Sequence, residues 1–146
     1  MVRGFIMVLD DDKDTTSVLA ASLRRQGLHV HAFTDPVVAL QDFKQNFKDC
    51  ILVISDIRMP QINGFQFVRM ARELRPDLKV IFMTAFEINI SEFEKIHPSM
   101  KVHGLVKKPI LMRKLEVLIN NSIRKNEERD GSQVLRKDLP IDLGGG

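Results

Sequence analysis

Six residues in this sequence have side chains that could act together, and each stands at or just past the end of a short apolar run. Asp10, Asp11 and Asp12 follow FIMVL (5–9), and Asp56 follows ILVIS (51–55). Thr84 closes VIFM (80–83), and Lys108 lies just past VHGLV (102–106). Carboxylates gathered at one point repel, and their pKa values rise unless a cation lies among them. A hard divalent ion relieves that repulsion, and a few protein oxygens completed by water suit Mg²⁺. The charges of Asp10, Asp11 and Asp56 then balance those of Mg²⁺ and Lys108, which leaves a neutral site until an anionic group arrives. All of this requires the four runs to end side by side.

The rest of the pattern supplies that arrangement. Each run has strand length and is nearly continuous in apolar residues, as in a strand buried on both faces. HVHAF (29–33) reads as a further strand, with His29, His31 and Phe33 on one face and Val30 and Ala32 on the other. Helical spacing fills the intervals. A helix capped by Asp14 or Thr15 runs to about Gln26 with Val18, Leu19, Ser22 and Leu23 inward, and Gly27 stops it. Thr34 or Asp35 before Pro36 starts a second helix, which carries Leu40, Phe43 and Phe47. Pro60 and Gly64 bracket a loop, with Gly64 supporting its turn, and a helix over 65–74 packs Phe67, Val68, Ala71 and Leu74. Residues 88–97 read as a weak helix with Ile88, Phe93 and Ile96 apolar, and Pro98 breaks it. The last helix shows a stripe of Leu111, Leu115, Leu118, Ile119 and Ser122. Five strands alternating with five helices predict an α/β fold: a five-stranded parallel sheet with helices on both faces and right-handed crossovers. Sites in open sheets of this kind form at the carboxyl ends of the strands.

Composition narrows the field. At 146 residues, 44% of them apolar and 28% charged, the chain has the length and balance of one globular domain. Residues 1–123 carry the pattern. Residues 124–146 mix charges, end in three glycines and read as a frayed helix extension and a flexible tail. No apolar run reaches bilayer length. The short apolar start ends in acids, unlike a signal peptide, so a cytoplasmic location is expected. A single cysteine, Cys50, excludes an intrachain disulfide and reads as a small buried hydrophobe. A net charge of +3, scattered along the chain, is weak support for nucleic-acid binding. The four histidines (29, 31, 97 and 103) have no metal-ligand spacing.

IMVLDDD, VISDIRMPQINGF, FMTA and VKKP occur in the order and approximate spacing of response-regulator receiver domains. Residues 4–122 resemble that family, whose fold is the flavodoxin-like (βα)5 type. The resemblance implies that Asp56 is a phosphoacceptor and that Asp10 and Asp11 form the acidic pair, with Asp11 the preferred direct Mg²⁺ ligand. The main-chain carbonyl of Arg58 would be a further ligand. Thr84 would hydrogen-bond the phosphoryl oxygens, Lys108 would pair with the phosphoryl group, and the Lys108–Pro109 peptide would be cis. Chemistry agrees with these roles. A carboxylate can act as a nucleophile and form an acyl phosphate, and phosphoryl transfer asks mainly for positioning and charge neutralisation. Ala85 is small enough to let the group approach. Asp12 reads as a solvated turn acid and Lys107 as a surface charge.

The resemblance also implies partners. A histidine kinase or histidine phosphotransfer protein would donate the group, and the surface around residues 86–123 would carry the signal to a downstream protein or into a homodimer. The chain would then be a self-catalysing phosphoacceptor, not a turnover enzyme. Direct DNA binding is not expected, because too little chain follows Ile123 for an output domain. Two positions depart from the family: Leu105 stands where an aromatic residue usually swings inward, and Ile110 where Phe is common. Arg58 and Phe86 occupy the positions that govern water access in the family, and their bulk and charge predict a long-lived phosphoform. Two other functions compete. A phosphate-independent pseudo-receiver module is left open by Leu105. A Mg²⁺-dependent aspartyl phosphatase would want an acid where Arg58 stands.

Overall fold

The computed structural model describes residues 4–130. Its elements run β1 (Phe5–Leu9), α1 (Lys13–Arg25), β2 (Val30–Phe33), α2 (Pro36–Asn46), a 3-10 turn (Phe47–Asp49) and β3 (Cys50–Asp56). They continue with α3 (Gly64–Leu74), β4 (Val80–Thr84), α4 (Ile90–Ile96), β5 (Gly104–Lys107) and α5 (Met112–Asp130). The five strands form one parallel sheet in the order β2-β1-β3-β4-β5. The chain steps from β1 outward to β2 and then returns to the other side of β1. The order therefore reverses between β1 and β3, and a crevice opens beyond their carboxyl ends.

Strand alternation divides the core in two. Ile6 and Val8 of β1, Leu52 and Ile54 of β3, and Ile81 and Met83 of β4 pack on one side against Leu19 and Leu23 of α1 and Leu115, Ile119 and Ile123 of α5. Phe5, Met7, Leu9, Val53 and Phe82 face the other side and meet Phe43 of α2, Phe67 and Val68 of α3, and Phe93 of α4. Phe43, Phe67 and Phe82 are fully buried, and truncating any of them to alanine would cost about 3–5 kcal/mol. Cys50 begins β3 at zero exposure, and burial pushes its thiol up to about 12, as expected of a buried hydrophobe.

Several boundaries and faces differ from the sequence reading. The cap of α1 is Asp12, whose side chain accepts from the N–H groups of Asp14 (2.9 Å) and Thr15 (3.4 Å). Asp14 and Thr15 lie inside the helix, whose start is thus earlier and whose buried stripe is Thr16, Leu19, Ala20 and Leu23. Val18 faces solvent at 62% exposure, and Leu74, Ile96 and Leu111 are also exposed. These apolar residues stand off the buried faces of their segments. His29 precedes β2, and Leu111 precedes α5. Asp56 is the last residue of β3, not the first beyond it. The backbone of α5 continues to Asp130, and the remainder of the 124–146 segment lies outside the described residues. No helix among those residues is long and apolar enough to cross a membrane.

Candidate functional site

Four strand ends bring the chemical residues together. Asp10 follows β1, Asp56 ends β3, Thr84 ends β4, and Lys108 follows β5. One carboxylate oxygen from each of Asp10, Asp11 and Asp56 lies within 4.8 Å of the others. Lys108 Nζ spans the group, 2.8 Å from Asp10 Oδ2 and 3.1 Å from Asp56 Oδ2. The lysine is 52 positions from Asp56 in sequence, so only the side-by-side pairing of β3, β4 and β5 joins them.

Local structure holds each acid in place. Asp10 is fully buried, and its Oδ1 accepts from the N–H of Asp12 at 2.9 Å. Thr16, buried in α1, donates through Oγ1 to the carbonyls of Asp10 (2.8 Å) and Asp12 (2.9 Å). This ties the acidic turn to the first turn of the helix. Ser55 Oγ donates to the carbonyl of Asp56 at 2.8 Å. The start of α3 presses against that same carbonyl: a Cβ at Gly64 would lie 2.4 Å from it. Glycine is required there by close approach, with the Gly64 N–H donating to Ile57 O at 2.8 Å. Asn63 and Gln66 form a reciprocal capping box that begins α3 at this point.

The electrostatics are those of a site short of positive charge. Burial raises the Asp56 pKa, the charge of Asp10 raises it further, and Lys108 opposes both. Burial pulls Lys108 down, but contact with Asp10 and Asp56 outweighs that and leaves it above its ordinary value. Asp10 Oδ2 is buried and, although its ion pair with Lys108 is short, it receives no well-directed hydrogen bond. Three carboxylates thus gather about one ammonium, and Asp10 sits in an excess of negative charge that a further cation would offset. With exposed Asp11 and the nearly buried Asp56 beside it, the oxygen set matches the hard-ligand preference of Mg²⁺.

The remaining candidates sit around this centre. Thr84 is buried, and its Oγ1 accepts from the Phe86 N–H at 3.1 Å, while its carbonyl accepts from Lys108 N at 2.8 Å. Arg58 is exposed two residues after Asp56, and its guanidinium lies 4.9 Å from the centre of the Phe86 ring. The Lys108–Pro109 peptide is cis. Lys107 points to the surface and pairs with exposed Glu87 at 2.6 Å. Asp12 caps α1 and stands outside the acidic cluster.

Sequence reasoning missed Thr16 and the true reason for Gly64. A hydroxyl at the otherwise apolar inner face of α1, one turn past an acidic run, was a readable sign of the first. Nothing local announced the second, because the carbonyl that excludes a side chain comes from eight residues away across a loop.

A parallel five-stranded sheet with an acid-and-lysine cluster at its switch point defines a receiver-type α/β domain. The family model for the response regulator receiver domain matches residues 6–120, and the chain belongs to that family, whose members are receiver domains of two-component systems. It is 33% identical over 81 residues to the response regulator receiver protein CpdR of Brucella abortus, covering 56% of this chain and 66% of that one. It is 29% identical over 133 residues to the DNA-binding transcriptional regulator NtrC of a Bradyrhizobium species, covering 90% of this chain and 27% of that one. The chain thus spans less than two thirds of the length of these curated relatives. A crystal structure of a response regulator receiver domain protein from Clostridium thermocellum superposes with a TM-score of 0.75 at 22% identity, covering 85% of this chain and 97% of that one. That likeness concerns the fold.

Proposed function

We propose that this receiver domain is a phosphorylation switch that accepts a phosphoryl group on Asp56. The observation that carries the reading is Lys108 Nζ set between Asp10 Oδ2 and Asp56 Oδ2, at 2.8 and 3.1 Å, where carboxylate oxygens of Asp10, Asp11 and Asp56 lie within 4.8 Å of one another. Asp10, Asp11, Asp56 and the main-chain carbonyl of Arg58 would hold Mg²⁺. When bound, the ion neutralises charge on the phosphoryl oxygens and screens the acids from the incoming anion.

The chain's own residues do the rest. An Asp56 carboxylate oxygen attacks phosphorus as the bond to the donor nitrogen of a phosphohistidine breaks, and that nitrogen keeps the electron pair. The attack is favoured by a rigid β3 end, which the Ser55 bond and the Gly64 contact hold against α3. Lys108 then turns its charge from the carboxylate to the phosphoryl oxygens, and Thr84 donates its hydroxyl hydrogen to them. The donor would be a histidine kinase or a histidine phosphotransfer protein. The domain promotes its own phosphorylation without turning over substrate. Signal would leave through the surface around residues 86–123, toward a downstream protein or a second copy.

Incubation with acetyl phosphate or phosphoramidate and Mg²⁺, followed by intact mass, tests this directly. One phosphate should be added to the native chain and none to Asp56→Asn. A native chain that stays unmodified would refute the proposal.

A further inference from the structure

Thr16 is buried in α1, yet its hydroxyl serves the acidic turn that precedes the helix. Its Oγ1 stands 2.8 Å from the Asp10 carbonyl and 2.9 Å from the Asp12 carbonyl, so one hydrogen is shared between two acceptors. The bond to Asp12, four residues back, is the ordinary habit of a helical threonine and alone would mean little. The bond to Asp10 reaches six residues back, past the start of the helix, to the carbonyl just beyond β1. The chain leaves the sheet at that point. The Asp10 N–H still donates to Phe33 O at 3.2 Å, but the register of β1 with both neighbours ends at Leu9.

These contacts bear on Asp11, the exposed member of the acid cluster. A peptide group is planar, so a residue's orientation is set by the planes on either side of it. The plane before Asp11 carries the Asp10 carbonyl, held by Thr16 Oγ1 at 2.8 Å. The plane after it carries the Asp12 N–H, which donates to Asp10 Oδ1 at 2.9 Å. With both planes held, the direction of the Asp11 Cα–Cβ bond is held too, although its side chain lies in solvent. We propose that Thr16 is a positioning residue for the cation: its hydroxyl presets Asp11 beside Asp10 and Asp56, so that the domain takes up Mg²⁺ without first ordering the turn. The inference rests on the Mg²⁺ reading of the three acids. Mg²⁺ demands near-octahedral ligand geometry at short range, and a ligand aimed in advance lowers the ordering cost of binding. Thr16 acts through the backbone and not as a ligand.

Titration calorimetry with magnesium chloride alone, and no phosphoryl donor, tests this in the native chain and two variants. Thr16→Val keeps the shape of the side chain and removes its hydroxyl, whereas Thr16→Ser keeps the hydroxyl. The valine variant should bind Mg²⁺ about three- to tenfold more weakly, the equilibrium equivalent of one neutral hydrogen bond, and the serine variant should stay within about twofold of the native chain. With acetyl phosphate added, half-maximal phosphate addition to Thr16→Val should move to higher Mg²⁺ by the same factor, while the rate at saturating Mg²⁺ stays near native. Thr16→Ala, which places nothing new in the core, carries the same expectation if the valine variant does not fold. A purely structural threonine would lower the urea midpoint of Thr16→Val and leave its Mg²⁺ affinity native, and that result would overturn the proposal. So would a serine variant as weak as the valine one. Absence of Mg²⁺ uptake by the native chain would overturn the metal reading itself, so the native titration tells the two failures apart.

Discussion

Asp10 Oδ2, wholly buried, faces Lys108 Nζ at 2.8 Å, closer than the lysine comes to Asp56. The lysine therefore holds the two acids together before any reaction. Under the proposed function it is also a charge that would change partner when a phosphoryl group is added to Asp56.

Replacing Lys108 by Met keeps the apolar stem and removes the charge. The expected cost is about 1–3 kcal/mol, below that of a wholly buried pair because the side chain is 26% exposed. The lysine is raised above its ordinary pKa of 10.5 in the folded state. Its stabilisation is therefore complete below that value and fades as pH climbs through the higher folded one. Urea unfolding of native and Lys108→Met chains should give a gap that is constant near neutrality and narrows only at strongly alkaline pH. A gap that narrowed between pH 7 and pH 9 instead would contradict the assignment.

Asp56 presents the opposite case for a carboxylate. Burial and Asp10 raise its pKa above the ordinary 3.8, so the folded state holds the proton more tightly than the unfolded one. The resulting stability is present below the ordinary value and lost as pH rises through the folded value. Asp56→Asn should accordingly melt higher at neutral pH, by several degrees if the change is about 1 kcal/mol, with the advantage vanishing in acid. Equal melting points at pH 7 would show that Lys108 fully offsets the burial.

Magnesium should stabilise the native chain with no donor present. Raising the free ion to about a hundred times its dissociation constant is expected to add about 2.7 kcal/mol, and a chelator should reverse it. Asp10→Asn and Asp11→Asn should each shift the dependence to higher Mg²⁺. A melting curve indifferent to the ion in the native chain would remove it from the site.

Gly64→Ala would force a Cβ to within 2.4 Å of the Asp56 carbonyl. The start of α3 must then shift, at an expected cost of about 1–3 kcal/mol. Because the displaced group belongs to the proposed acceptor, phosphate addition should slow as well. An alanine variant with native stability and native phosphorylation would mean that the two segments part easily.

Arg58 and Phe86 touch each other at the edge of the site. Loss of either side chain should shorten the life of the phosphoform about two- to five-fold, the rate equivalent of roughly 0.5–1 kcal/mol for an exposed cation–π contact. Decay of the added mass in Arg58→Ala, Phe86→Ala and the double variant measures this. The double variant should decay no faster than the worse single one, since both remove the same contact.

The alternation of apolar runs with helical spacing was enough to read the parallel sheet. Pro36 placed the start of α2, and Gly27 the end of α1. The acids, Thr84 and Lys108 could be assigned to one edge because every strand of a parallel sheet ends on the same side. Faces were harder to read. Val18 fits an apolar stripe by spacing yet faces solvent, because spacing gives the period of a helix but not the angle at which its axis meets the sheet; Leu111 is exposed because it stands before the first residue of α5. Asp12 read as a solvated turn acid, and its sequence neighbours gave it no task. It caps α1, a role set by where the first helical N–H groups point.

The amino-acid sequence by itself determined which elements form and which chemical side chains stand at their ends, because period, turn residues and chain direction are local properties. Only the tertiary structure decided that Lys108 bridges Asp10 and Asp56, that Arg58 covers Phe86, and that no side chain fits at position 64. Those contacts join residues that lie apart along the chain. Their lengths follow from how the sheet and its helices pack, which no short stretch of sequence encodes.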